Sequence, residues 1–226
     1  MSRIFANCKE AINEIERDIH EMGVLCHPHS MQNKIVKDDD NYSTKEVQNY
    51  SFTILDMSDR DDIVGENLEW CKAEYYERIN PAFKNPGTAW KLRKDVWEEF
   101  LIDGKFDYTY NERLQWQIDG IVDELKENPD SRQCIIQIHD RNIDASRMRT
   151  LRIPCSMYYQ FMIRRGKLDV IYNMRSSDFD THFTNDIWLA DALRVFIADC
   201  IGIESGLLHM NIGSLHRYKN YTKHVF

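Results

Sequence analysis

Residues 152–178 begin Arg152-Ile153-Pro154-Cys155-Ser156 and end Asn173-Met174-Arg175-Ser176-Ser177-Asp178, and their reading decides the fold. Between these ends, residues 158–163 and 168–173 are apolar-rich runs joined by Arg164-Arg165-Gly166-Lys167. That pattern predicts a β-hairpin. Cys155 stands just ahead of it, and an arginine-containing turn follows it. An isolated cysteine is ordinarily a small buried hydrophobe. With guanidinium groups nearby it can do more. A free thiol, with a pKa of roughly 8.5, is mostly protonated at neutral pH, and a cation favours the nucleophilic thiolate. The same arginines can hold a phosphate.

Outward from the hairpin, the chain alternates helical and extended patterns. Residues 6–22 space Ala6, Ile12, Ile15 and Ile19 as one helix face and stop at Gly23. Residues 27–44 read as a polar loop, 47–55 as extended and 63–76 as a helix. Residues 80–87, with two prolines, break the chain. A helix is predicted over 117–126 and a short buried strand over 134–139. A long core helix follows over 186–201, with Ile187, Leu189, Leu193 and Ile197 on its apolar face. Residues 207–212 form a last strand before Gly213-Ser214-Leu215-His216-Arg217-Tyr218. The expected class is α+β, with residues 1–226 forming a single domain.

At 226 residues the chain can bury about 70% of its unfolded surface. Apolar residues make up 42% and aromatics 12%, enough for a packed core. No apolar run is long enough to span a membrane, and the N-terminus has no signal-peptide pattern. Cysteines 8, 26, 71, 134, 155 and 200 show no paired spacing, so reduced thiols in a cytoplasm are expected. A net charge of −8 argues against a nucleic-acid polymer as partner, though not against a mononucleotide. No metal site is expected.

Five motifs occur in a fixed order: Asp130-Ser131-Arg132, Pro154-Cys155, Gln160-Phe161, Arg175-Ser176-x-Asp178 and Gly213-x-x-His216-x-Tyr218. In order and spacing they resemble the thymidylate synthase superfamily, strongly over residues 105–221 and weakly before. The details are most similar to the phage-type pyrimidine-nucleotide hydroxymethylases. That resemblance implies a mixed sheet packed by helices, a sheet-mediated homodimer, and a pyrimidine nucleoside monophosphate as substrate. The implied co-substrate is 5,10-methylenetetrahydrofolate. It also implies roles residue by residue. Cys155 adds to C6 of the pyrimidine, making C5 a carbon nucleophile. Arg175 and Ser176 bind the 5′-phosphate. Arg132 reaches the phosphate in the neighbouring subunit, with Gln133 weakening that clamp. His216 and Tyr218 hold the sugar hydroxyl, Gln160 lies near the base, and Asp178 orients the base and the loop below it. Tyr110 is the active-site tyrosine and Trp97 contacts folate. For the phosphate loop near the N-terminus, Lys34 or Lys37 is the candidate.

By the same resemblance Asp186, ten residues after Ser176, is expected to select the base. In the synthases an asparagine at this place matches uracil N3–H and O4. A carboxyl accepts instead from the cytosine amino group and stabilises a proton at N3. Its other reading is as an acidic residue at a helix start. Deoxycytidylate is the expected substrate. The chain ends at Phe226, soon after Tyr218, so a site less sealed than a synthase's is expected, and water attack with a hydroxymethyl product. Methyl transfer to dCMP or dUMP, a ribonucleotide substrate and a silent nucleotide binder stay open. One departure stands out. The family's catalytic glutamate, three residues before a tryptophan, is Asn67 here, and a carboxamide cannot accept a proton as a carboxylate does. Glu66 and Glu69 point about 100° and 200° away from it on a helix.

Overall fold

The hairpin lies in a seven-stranded mixed sheet in this computed structural model, which describes residues 2–32, 34–147 and 151–221. The first half of the chain contributes β1 (Arg3–Asn7), α1 (Cys8–Met22), β2 (Val24–Cys26), β3 (Ser30–Met31), β4 (Lys34–Ile35), β5 (Thr44–Asp56), α2 (Arg60–Val64) and α3 (Leu68–Ile79). It continues with α4 (Lys94–Trp97), α5 (Tyr110–Leu114), α6 (Ile118–Glu127), β6 (Ile135–Gln137) and α7 (Arg141–Asp144). The last third is β7 (Ser156–Arg164), β8 (Lys167–Asp178), α8 (Phe183–Ile201) and β9 (Glu204–Tyr218). Strand order is β1-β5-β9-β8-β7-β6, with β2 also pairing β5.

Strands β7 and β8 are antiparallel, as a four-residue turn demands, whereas β8 and β9 run parallel through the crossover helix α8. That helix is apolar on most sides because it lies in the core, with Phe183, Ile187, Ala190 and Ile197 fully buried. Gly202 ends it at φ 89°, a left-handed conformation that a side chain disfavours, and its N–H returns to Ala198 O. Strand residues of one parity (Phe5, Ile54, Met210, Tyr172, Phe161 and Ile136) join the helices in one core. The opposite face has a row running straight across the sheet: Ile4, Thr53, His209, Ile171, Gln160 and Ile135. Its two ends are open, Ile4 being 69% and Ile135 40% exposed.

Four expectations need correction. The predicted helix over 6–22 is preceded by strand β1, and Asn7 caps the junction by accepting from Glu10 N. Strand β1 pairs in parallel with β5, far along the chain, so no local pattern marks it. The helix over 63–76 is broken by a turn at Gly65–Asn67. Strand β9 runs through Tyr218 because β8 and β5 flank it on both sides. The loop over 27–44 contains the small β3–β4 pair.

Candidate active site

Parallel pairing of β8 with β9 sets Ser176 against Ser214 and Asp178 against His216. Two motifs far apart in sequence thereby become one surface. Gly213 lies opposite Arg175, and a Cβ there would be 2.7 Å from Arg175 O. This glycine is thus required by close backbone approach. Gly213→Ala is expected to part the strands, costing about 1–3 kcal/mol of stability, which urea unfolding measures.

Cys155 sits at the mouth of β7, partly buried, and its carbonyl accepts from Arg175 N at 2.8 Å. The Arg175 side chain turns back over it. Nε donates to Pro154 O at 3.0 Å, Nη2 to Ile153 O at 2.9 Å, and Nη1 to Ser176 Oγ at 3.0 Å. Nη2 is also 3.7 Å from Cys155 Sγ, and Ser176 Oγ is 3.8 Å from it. A cation and a hydroxyl thus face the sulfur, and the backbone carbonyls hold the guanidinium in place. Gln32 Oε1 accepts from Ile153 N at 3.4 Å, so the loop around residue 32 closes on this same segment. The two lysines expected there are engaged elsewhere, Lys34 with Glu99 and Lys37 with Asp38.

Next to the sulfur, Ser156 Oγ donates to Tyr110 OH at 3.2 Å and bonds Tyr172 OH. Burial, and next Tyr108 and Cys155, push the Tyr110 hydroxyl well above its ordinary range, and Arg78 opposes them. The Arg78 guanidinium lies 4.0 Å from the centre of the Tyr110 ring. Asp186, one helix turn into α8, accepts from Ser177 Oγ at 2.9 Å. Burial pushes its carboxyl up to about 7, against the pull of Ser177, Arg78 and Arg93. Asp178 turns to its own loop, accepting from Asp180 N and Thr181 N. His216 is nine-tenths buried, its Nδ1 3.2 Å from Ser214 Oγ and its ring edge-on to Tyr218. Burial lowers its pKa, with Asp178 resisting.

Tyr110 also lines a narrow aromatic cavity with Trp70, Trp90, Trp97, Phe106 and Tyr108. Three of these rings, Trp70, Trp90 and Trp97, bury indole N–H groups that have no acceptor among the described residues. Arg93 Nη1, near the Trp70 ring, is buried and unpaired in the same way. Buried donors without partners are costly, and three of these four belong to residues that line the cavity. Arg152, three residues ahead of Cys155, is packed among Trp97, Phe100, Phe106 and Tyr108 at 4.8–5.8 Å and pairs with Asp107.

Not every expected residue converges here. Gln160 donates to Arg132 O at 2.9 Å, on the sheet face away from the core. It is five residues beyond Cys155 on an extended strand, roughly 17 Å along, so within this chain it does not reach the sulfur. Arg132 is exposed beside it. Asn67 ends the turn before α3 and is not among the residues that line the cavity. His182 was missed. Its ring packs 5.8 Å from Trp97, its carbonyl accepts from Asp186 N, and burial lowers its pKa to about 3. No motif signals it, since its place depends on the helix entry. Glu74 and Arg78 on α3, and Arg93 in the turn Ala89–Arg93, were missed because contacts between distant elements place them. Among the described residues no cluster suits a metal ion, and no helix is long and apolar enough to cross a membrane.

A cysteine faced by an arginine, a carboxyl held by a serine, and an aromatic cavity that shares Tyr110 lie on a mixed α+β scaffold. Residues 35–226 match the thymidylate synthase family model, and the chain belongs to that family. A Methanosarcina barkeri protein provisionally named a thymidylate synthase is 31% identical over 142 residues, 58% of this chain and 64% of the relative. The deoxyuridylate hydroxymethyltransferase of Bacillus phage SP01 is 28% identical over 169 residues, 62% of this chain and 44% of that protein. The chain thus spans less than two thirds of the length of these relatives. Thermostable thymidylate synthase A from Bacillus subtilis matches in fold with a TM-score of 0.67, at 19% identity, over 93% of this chain and 80% of that one.

Proposed function

We propose that this chain transfers a one-carbon unit to C5 of a cytidine monophosphate, dCMP first, and releases the hydroxymethyl product. The carrying observation is Asp186. A carboxyl that is half neutral near pH 7 offers an O–H donor to cytosine N3 and a carbonyl acceptor to its amino group. Uracil presents N3–H and O4, and the ionised carboxyl, which only accepts, has no donor for O4. The name of the phage relative points to deoxyuridylate for that protein, and the uracil nucleotide is therefore the competing substrate.

The division of labour is the one the family resemblance implies, and the contacts of Cys155, Arg175 and Ser176 support it. Cys155 Sγ attacks C6, and Arg175 and Ser176 face both that sulfur and the phosphate end. His216 and Tyr218 face the sugar, and Asp178 braces the loop leading into α8. Trp97, Trp70 and Trp90 would hold 5,10-methylenetetrahydrofolate, whose polar flat ring fits unpaired indole donors between aromatic walls. When bound, that group supplies carbon at the oxidation level of formaldehyde. Within the site, water then decides the product: its addition gives hydroxymethyl. The residues 222–226, whose end figured in that expectation, lie outside the described residues.

The uncovered sheet face and its open apolar ends support a homodimer stacked sheet to sheet. Arg132 of one protomer would then serve the site of its partner.

Tritium release from C5-labelled dCMP and dUMP, followed by product mass, tests the reading. Hydroxymethyl-dCMP is expected; a methyl product or sole use of dUMP would overturn it. A pH dependence follows as well. Either the neutral Asp186 or a proton on N3 completes the cytosine pair, and both routes need one proton. Affinity for dCMP should be constant below about pH 7 and fall roughly tenfold per unit above it. Calorimetric titration from pH 6 to 9, with Asp186→Asn as the flat control, checks this.

A further inference from the structure

The polar groups of the site continue from β9 onto β5. Antiparallel pairing sets Glu46 of β5 against His216, whose neighbour on the other side, in β8, is Asp178. Glu46 is half-buried there. Its Oε2 accepts from Ser214 Oγ, and its Oε1 accepts from Gln48 Nε2 at 3.1 Å. Ser214 Oγ is also 3.2 Å from His216 Nδ1, and the Ser214 carbonyl oxygen is 3.4 Å from the same nitrogen.

A hydroxyl has one proton to give, and a carboxylate can only accept. Ser214 gives its proton to Glu46 and therefore meets His216 with a lone pair. Its carbonyl likewise offers only lone pairs. Nδ1 must then carry the ring proton, since the partner of one ring nitrogen sets the state of the other. Burial disfavours a second proton, so Nε2 is left as a bare acceptor. Among the described residues Nε2 has no hydrogen-bond partner, and the ring is packed edge-on against Tyr218.

We propose that Glu46 and Ser214 are positioning residues that lock the proton of His216 on Nδ1, so that Nε2 accepts from a hydroxyl on the sugar of the bound nucleotide. This rests on the reading that His216 faces the sugar. A rule of polarity follows for the substrate. A sugar that presents a hydroxyl donor at this place fits, whereas one that presents only an acceptor sets lone pair against lone pair.

The test is ring-nitrogen NMR of ¹⁵N-labelled protein with and without dCMP, beside calorimetric titration of dCMP and of its 3′-fluoro-2′,3′-dideoxy analogue. In wild type Nδ1 should be protonated and Nε2 bare. Adding dCMP should shift the Nε2 signal, and the fluoro analogue should bind about tenfold more weakly or worse. Glu46→Gln is the first variant. Gln48 Nε2 and Ser214 then compete for one oxygen, and a carboxamide N–H turned toward Ser214 sends the serine proton to Nδ1. Both tautomers should appear, and the penalty for fluorine should fall to about threefold or less. Glu46→Ala leaves the serine hydroxyl free to turn and should do the same, which keeps the test open if Glu46→Gln does not fold. A packing defect alone would weaken both nucleotides equally and leave the ring nitrogens unchanged. A protonated Nε2 in free wild type, or an unchanged tautomer in the folded variants, overturns the proposal and leaves the reaction at C5 standing. If dCMP binds without moving the Nε2 signal, the placement of the sugar at His216 fails, and the proposal fails with it.

Discussion

Cys155→Ala is expected to lower turnover and folate-free C5 exchange by about 10⁴-fold or more while dCMP still binds. The reason lies in how Arg175 is held. Its guanidinium is anchored by Pro154 O, Ile153 O and Ser176 Oγ, none of which depends on the sulfur. Removing the thiol therefore deletes the covalent step and leaves the phosphate end assembled. Burst-phase mass spectrometry should find a protein–nucleotide adduct in wild type and none in the variant. Appreciable turnover by Cys155→Ala would sink the nucleophile assignment. A loss of dCMP affinity equal to the loss of rate would show that the cysteine binds and does not react.

The second large effect is a change of base. Asp186→Asn swaps a group that can pair cytosine for one that donates to O4 and accepts from N3–H. A polar mismatch in an enclosed site discriminates by about 10⁴, so the ratio of kcat/KM for dCMP over dUMP should fall by roughly 10³ or more. Ser177 Oγ can still donate to the carboxamide oxygen that replaces the carboxylate, so the side chain keeps its anchor. Stability gives an independent readout. The folded-state pKa of Asp186 is raised to about 7 from 3.8, so the unfolded chain ionises first and the folded state is penalised as pH rises from 4 to 7. The carboxamide removes that penalty. The variant should unfold at a higher temperature than wild type at pH 8, and the gap should close toward pH 4. An unchanged base preference would leave Asp186 as a helix-entry residue.

Much of the site could be read in the chain before folding. Cys155, Arg175 and Ser176 are recognisable because their chemistry is local and their spacing is set by one hairpin. Asp186 is legible because it follows Ser176 within a strand, a short loop and the first turn of a helix. The parts that escaped were those assembled across the fold. Glu74 and Arg78 belong to a polar helix with ordinary surface composition, and only the packing of α3 against α5 and α8 brings them to the cavity. Strand β1 has five residues and a distant parallel partner, so its extended form has no local cause.

Periodicity and turn chemistry in the sequence determined the hairpin, the core helix and the residues able to react, since these depend on neighbours within a few positions. Tertiary structure alone decided which of them meet. The parallel register of β8 and β9 set Asp178 beside His216, and Gly213 permitted the approach to Arg175. It also turned Gln160 toward Arg132 and buried three indole donors of residues that line one cavity. Pairing between distant strands and the burial of particular atoms are collective properties of the packed chain, and no short stretch of residues encodes them.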